Sequence, residues 1–497
     1  MLRIKTLVMF GLVLAMAGCG GGKNREGAKS PADPGTKKLA TGAIVDAQAQ
    51  NEYESALEQF QSVDKSGKWQ ENCESVAQSF LSAATRQKKA TNQRFPEAIY
   101  NAGLAYQRCN KDDEANKLFS EAVEADPGFH RARAQLVLFE YKKSGDLNGT
   151  IGKLETIIRD AKFQNVEALV YLAALQMERG SDTSDSDGKD DYERARKNIQ
   201  RALAIDDGFM PAFNQLAIYY MEEAKRKATK GKRVRRGGLV VQGAKGVDVN
   251  QQQMDLAALV ASQGIQKNAN YAPLHNTAGL IQVQLKNYNG AVKSFARARA
   301  LDPKFFEAHM NYAAVNLSFR GFANAEKAYK AAIKLRPDTY EAHLGLALAI
   351  RGQISDANWD EYVALSQKEL DRAREIDPKR PETYYNEAIL TQEYKAKGSE
   401  EDSVPSLEKA ASLYKTFISK AGSDEAFAEA VKRSQERAQD IEDTVQFIKD
   451  GIKMRKEQEI LDKKAKAAEA AQKKKEAAEK AAADKAAAEK KDEAPKK

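Results

Sequence analysis

A period of about 34 residues organises the middle of this chain, and a chain that repeats itself at that interval has few folds open to it. Residues 96–129, 272–305 and 306–339 align without gaps. The eighth repeat position holds Gly103, Gly279 and Ala313, the twentieth Ala115, Ala291 and Ala325, and the twenty-seventh Ala122, Ala298 and Ala332. The twenty-fourth is aromatic (Phe119, Phe295, Tyr329), and the thirty-second is Pro127, Pro303 or Pro337. Small side chains let one helix approach another closely, and an aromatic fills the gap between them. The proline lacks an amide donor and ends the second helix. The period therefore predicts an all-α array of stacked helical hairpins, each burying its apolar face against its neighbours.

This spacing resembles the tetratricopeptide repeat (TPR), a helix-turn-helix of about 34 residues. Asn101, Asn311 and Asn386 at the sixth position add to the match. The resemblance implies a TPR helical-hairpin solenoid. About eight hairpins are expected over 96–421, with insertions at 180–191, 226–252 and 352–359; such insertions are tolerated because loop closure costs grow slowly with length. Residues 46–95, with Tyr53, Leu57, Phe60, Val76 and Phe80, read as one more hairpin that starts the stack. Over 422–462, Val431, Ser434, Ala438, Ile441, Val445, Ile448 and Ile452 step by alternating three and four residues, a heptad seam. Its simplest use is to cap the last hairpin, with a coiled coil to a partner as the other. Residues 463–497 are a tail of lysine, alanine and glutamate. Those residue types favour helix, but they leave no apolar face to pack.

The first residues set the compartment. Arg3 and Lys5 precede an apolar run of eleven residues, 7–17, far short of the ~20 that span a bilayer. Residues 1–18 read as a signal peptide. Its end, Met16-Ala17-Gly18-Cys19, resembles a bacterial lipobox, so Cys19 is the expected lipidation site. Gly20 rather than aspartate follows it, which by resemblance to the usual sorting signal favours the outer membrane, with the protein facing the periplasm. Residues 19–45, glycine-rich and poor in apolar side chains, form a tether.

Chemistry is sparse. His275, His309 and His343 recur once per repeat, but copies one hairpin apart are too distant to share an ion at ~2 Å, so their expected role is structural. No phosphate loop, nucleophile elbow or paired catalytic carboxylates can be read. A non-enzymatic protein without cofactor or metal is expected. The acidic run at 182–191 invites a calcium reading, yet alignment on Gly188 puts Thr183 first and Arg194 last, where an EF-hand needs carboxylates; a solvated loop is expected. Cys73 and Cys109 form a candidate disulfide in an oxidising envelope.

Two surfaces remain as candidate contacts. Lys225, Arg226, Lys227, Lys230, Lys232, Arg233, Arg235, Arg236 and Lys245 make a glycine-rich cationic insert with no acid among them, suited by charge to anionic lipid, lipopolysaccharide or an acidic protein, and in this compartment not to nucleic acid. TPR proteins usually bind partners along the groove of first helices, which nominates Leu104, Gln107, Asn276, Leu280 and Met310. The family's carboxylate clamp is absent, because the ninth repeat position holds Leu104, Leu280 and Ala314.

Signal, tether, hairpins and lysine/alanine-rich tail, in that order, resemble the outer-membrane TPR lipoproteins of gliding bacteria. The resemblance implies a scaffold of an envelope-spanning motility complex, with other envelope motility or assembly proteins as partners. The alternatives are an assembly pilot for a pilus secretin or outer-membrane barrel, and a protein that binds anionic polysaccharide or lipid through the basic loop. The whole-chain net charge of +8 conceals a division. The insert carries nine cations and the tail twelve lysines against seven acids, so the rest of the mature chain is acidic.

Overall fold

The computed structural model describes residues 44–227 and 249–492, together with Leu39 and Gly42. These fall into two compact units, which meet in sequence between Leu335 and Arg336. The signal peptide, Cys19 and most of the tether lie outside the described residues.

Among the described residues the first unit contains seven helical hairpins. They are α1 (Ala47–Ser66) with α2 (Trp69–Thr91), α3 (Pro96–Arg108) with α4 (Asp112–Ala125), α5 (His130–Ser144) with α6 (Leu147–Asp160), and α7 (Val166–Arg179) with α8 (Asp191–Ile205). They continue with α9 (Met210–Arg226) and α10 (Gln251–Lys267), α11 (Ala272–Gln284) and α12 (Tyr288–Leu301), and α13 (Phe306–Ser318) and α14 (Phe322–Leu335). The second unit pairs α15 (Tyr340–Arg351) with α16 (Trp359–Ile376). It then runs through α17 (Glu382–Leu390) and a π-helical turn, Thr391–Lys395, into α18 (Glu400–Ala421) and α19 (Ala428–Asp492).

The repeat signature is expressed as close packing. Phe119 and Phe295 are fully buried. A Cβ added at Gly103 would sit 2.7 Å from the Phe119 ring, and one at Gly279 would sit 2.5 Å from Phe295. Glycine stands there because the aromatic of the second helix occupies the space a side chain would need. The turn out of α4, α8 and α12 is a local device too. Asp126, Asp206 and Asp302 each accept, through Oδ1, the amide two residues on at 2.9 Å. Such an Asx turn fixes where the next hairpin begins.

In the first unit the array curls far enough for its first hairpin to meet its sixth. Asn270 Nδ2 donates to the Lys65 carbonyl, and Gly67 lies against Leu301. Beside this contact Arg108 pairs with Asp64 at 3.1 Å and lies over the Phe60 and Trp69 rings. In the second unit the heptad seam packs on α18: Ser434, Ala438, Ile441, Val445 and Ile448 are buried there.

Candidate functional site

The inner helices are the first place to look for a partner site, and the nominated residues expose little surface there. Leu104 is fully buried and Gln107, Asn276 and Met310 nearly so; Leu280 is half-buried against the Phe295 cluster. Leu104 belongs to the apolar core, and the polar residues are taken up by a ladder of side-chain hydrogen bonds between successive hairpins. Gln107 Nε2 donates to Gln135 Oε1 at 3.2 Å, and Tyr171 Oη donates to the same oxygen at 3.1 Å. Asn311 Nδ2 donates to Asn276 Oδ1 at 2.9 Å, and Thr277 Oγ1 to Asn214 Oδ1 at 2.7 Å. Amides that could clamp a peptide instead clamp the next repeat. Tyr171 is wholly enclosed, and burial pushes its hydroxyl well above the usual tyrosine pKa.

The acidic insert is more than a solvated loop. Arg194, the residue that spoils the calcium pattern, puts its guanidinium where the ion would sit. Its Nη1 donates to the Thr183 carbonyl at 2.9 Å, to Asp185 Oδ2 at 2.8 Å and to the Gly188 carbonyl at 3.2 Å. Its Nη2 reaches Asp191 Oδ1 at 2.7 Å. Asp191, with no solvent exposure, also takes a bidentate pair from Arg179 at 2.8 and 2.7 Å and the Ser181 amide at 2.8 Å. Burial alone would raise its pKa; the two guanidiniums and the amide outweigh it and hold the carboxyl below its ordinary value. Among the described residues no group of three or more His, Cys, Asp or Glu could hold a metal.

Three of the nine cations assigned to the anion-binding loop belong to helix α9 or its end. Lys225 pairs with Glu222 at 2.6 Å, and Lys227 with Glu223 at 2.8 Å. Arg226 pairs with Glu223 at 3.1 Å and Asp190 at 3.3 Å while lying over the Tyr192 ring at 4.1 Å. Each is already neutralised, because the chain stays helical to Arg226 and sets the cations one turn from acids. Lys230, Lys232, Arg233, Arg235, Arg236 and Lys245 lie outside the described residues. The ends of the insert meet: the Asn250 amide donates to the Ala224 carbonyl at 2.9 Å.

Cys73 and Cys109 are joined by a disulfide linking α2 to the end of α3. The three periodic histidines do one structural job. Nε2 of His275, His309 and His343 lies 2.8, 2.9 and 2.8 Å from the carbonyl six residues earlier, tying each helix start to the turn before it. Burial lowers the pKa of His275 and His309. Burial acts the same way on His343, but Glu369 at 2.6 Å and the Pro337 carbonyl outweigh it and raise the value. Sequence reasoning missed a hollow of about 820 Å³ in the second unit, between α16 and the π-helical turn. Lys397 caps the Trp359 ring there, and Trp359 Nε1 donates to the Tyr394 carbonyl at 3.1 Å. A π-helical turn leaves no sequence pattern as regular as a period, so this feature had no local signal.

The repeat geometry and the ladder place the molecule among helical-hairpin repeat proteins: its fold is an all-α TPR solenoid with a long C-terminal helix. Residues 96–129 match the tetratricopeptide repeat family. No curated protein matches the chain. Among solved structures, a monomeric mutant of IFIT1 with Gppp-AAAA aligns at 17% identity over 74% of this chain and 77% of that one, TM-score 0.44. A tetratricopeptide repeat protein from Parabacteroides merdae aligns at 15% over 64% of this chain and 98% of its own, TM-score 0.35. PilF of Pseudomonas aeruginosa aligns at 15% over 55% and 96%, TM-score 0.38.

Proposed function

We propose that this protein is a non-enzymatic interaction scaffold, held at the outer membrane through a lipid on Cys19 and facing the periplasm, within an envelope-spanning motility complex of the kind found in gliding bacteria. The observation that carries the scaffold reading is the array of TPR-type hairpins built on the repeat signature. Such arrays hold a long surface in one shape and so present several partners in fixed order. The lipobox at residues 16–19 supports the anchor; several acyl chains suffice for stable attachment at ~0.8 kcal/mol per buried CH₂.

Two experiments test this. Crosslinking pull-down from membranes, read by mass spectrometry, is expected to recover envelope motility proteins; recovery of secretin or pilus subunits in their place overturns the motility assignment in favour of a pilot. Cys19→Ala is expected to move the protein from the membrane to the soluble envelope fraction. Unchanged fractionation removes the lipid from the scheme.

A further inference from the structure

Helix α19 carries two apolar seams, and α18 covers one of them. The second is open: Phe447, Met454 and Leu461, seven residues apart, are 77%, 69% and 58% exposed. Filling in the alternate steps of four and three gives Gly451 and Gln458, then small or neutral residues at 465, 468 and 472. Close to half of the stretch from 447 to 472 is charged, twelve side chains in all, yet none of these eight positions is. In a helix this charged, an uncharged stripe of heptad spacing is the mark of a coiled-coil seam. From Lys453 to Lys485 every residue is exposed. Here α18 reaches the helix through exposed ion pairs, Arg455 with Glu400 at 3.0 Å and Lys456 with Glu401 at 3.8 Å, which leave the seam uncovered.

We infer that this seam is a homodimer interface, in which α19 of two copies pair antiparallel about a two-fold axis between Glu459 and Ile460. The charges beside the seam select both occupant and register. In this register Arg455 of one copy faces Asp462 of the other, and Glu457 faces Lys464, each pair twice by symmetry. Bulk is complementary as well: Phe447 packs against Gln472, Met454 against Ala465 and Leu461 against Gln458. An antiparallel register one heptad away sets Arg455 against Arg455 and Glu457 against Glu457. The parallel arrangement sets Glu457 beside Asp462. Over residues 447–472 only the first avoids like charges beside the seam, and a two-fold interface requires this self-complementarity of one patch. Three large apolar residues per copy make a small interface, so the dimer is reversible and micromolar rather than obligate.

The test uses the full chain with Cys19→Ser in detergent-free buffer, which removes the lipid-accepting thiol and, with Cys73 and Cys109 joined, leaves introduced thiols as the only free ones. Sedimentation is expected to show monomer passing to dimer as concentration rises to about 200 μM, and Met454→Glu with Leu461→Glu to raise the dissociation constant at least about tenfold. Both residues are exposed, so helicity and melting temperature stay unchanged in that variant. Glu457→Lys is expected to weaken the dimer and Glu457→Lys with Lys464→Glu to restore it; a parallel dimer would instead be strengthened by the single change. On oxidation, a mixture of Phe447→Cys and Gln472→Cys chains is expected to give mixed crosslinked dimers, and Phe447→Cys alone none. A monomer throughout, a dimer indifferent to the glutamates, or a Phe447→Cys dimer with itself overturns the inference.

Discussion

Replacing Asp191 with asparagine is the sharpest probe of how the first unit holds its acidic insert. The carboxylate is unexposed and is shared by Arg179, Arg194 and the Ser181 amide. Asparagine keeps the shape but loses the charge and can accept through one oxygen only. It leaves Arg194, whose side chain is 5% exposed, with Asp185 as its remaining carboxylate. Breaking one side of a buried ion network costs about 3–5 kcal/mol. At about 2 °C per kcal/mol for a unit of this size, melting of the first unit should fall by roughly 6–10 °C. Arg194→Gln should cost less, about 1.5–3 kcal/mol, because Asp191 retains Arg179. Asp185→Asn is the control. Its side chain is 52% exposed, and loss of such a pair costs about 0–1 kcal/mol. Calorimetry of the full chain reads all three. The pH dependence gives a second readout. Because Asp191 titrates below its unfolded value of about 3.9, its contribution is present above that pH and lost as pH falls through the folded value. The asparagine variant should therefore lose less stability than the parent between neutral pH and pH 3. A change under about 1 kcal/mol, or one no larger than that of Asp185→Asn, would refute the view that this network holds the insert.

Other outcomes follow from single contacts. Gly279→Ala should destabilise the sixth hairpin by about 1–3 kcal/mol, because its Cβ would lie 2.5 Å from the Phe295 ring; chemical unfolding measures this, and a neutral substitution would mean the ring can move. Cys73→Ser with Cys109→Ser opens a loop with a sequence separation of 36, worth about 4 kcal/mol in the chain-entropy model, seen as lower resistance to denaturant without reductant. Histidine titration followed by NMR should show opposite signs. His275 and His309, with depressed values, withdraw stability as pH falls below about 6.5, while His343 contributes fully below that pH and ceases to as pH rises through its folded value. Replacing residues 228–248 by a short glycine linker should abolish binding to vesicles rich in anionic lipid while leaving melting unchanged, since Ala224 and Asn250 already touch; retained binding would move the anion site elsewhere.

The hairpin fold was legible because its information is local and repeated. Gly103, Phe119 and Pro127 each speak for one contact, and the same contact recurs in the later repeats. The inner face was not legible, because its ladder joins residues such as Asn276 and Asn311 through the curvature of the stack, and no short window encodes curvature. The closure of Lys65 on Asn270 spans 205 residues and has no local signature at all. Arg194 is intermediate. It stood in plain sight at the last position of a failed calcium loop, and its meaning was available: a cation is needed there, and the chain supplies its own. On α19 the heptad reading found the seam that caps α18 and passed over the one beside it. Phe447, Met454 and Leu461 are diluted by glycine, glutamine and alanine, and stand out only once the first seam is known to be taken.

These details bear on where a scaffold of this build makes its contacts. A ligand entering between the inner helices must break bonds such as Asn276–Asn311 and Gln107–Gln135 and replace them one for one. An exchange of that kind gains little, since a hydrogen bond contributes only about 0.5–1.5 kcal/mol net when it replaces another. The open seam of α19 trades water for a partner's side chains, and burial of apolar surface is favourable without any such exchange. The insert beyond Lys227 carries six cations and no acids from 228 to 247, so it attracts anions at long range before any fit is required. Lys225, Arg226 and Lys227, on α9 or at its end, are held by Glu222, Glu223 and Asp190 and so are already paired. By this reasoning the hairpins set distance and orientation, and the places to test for recognition are the proposed α19 seam and the cationic stretch of sequence beyond Lys227.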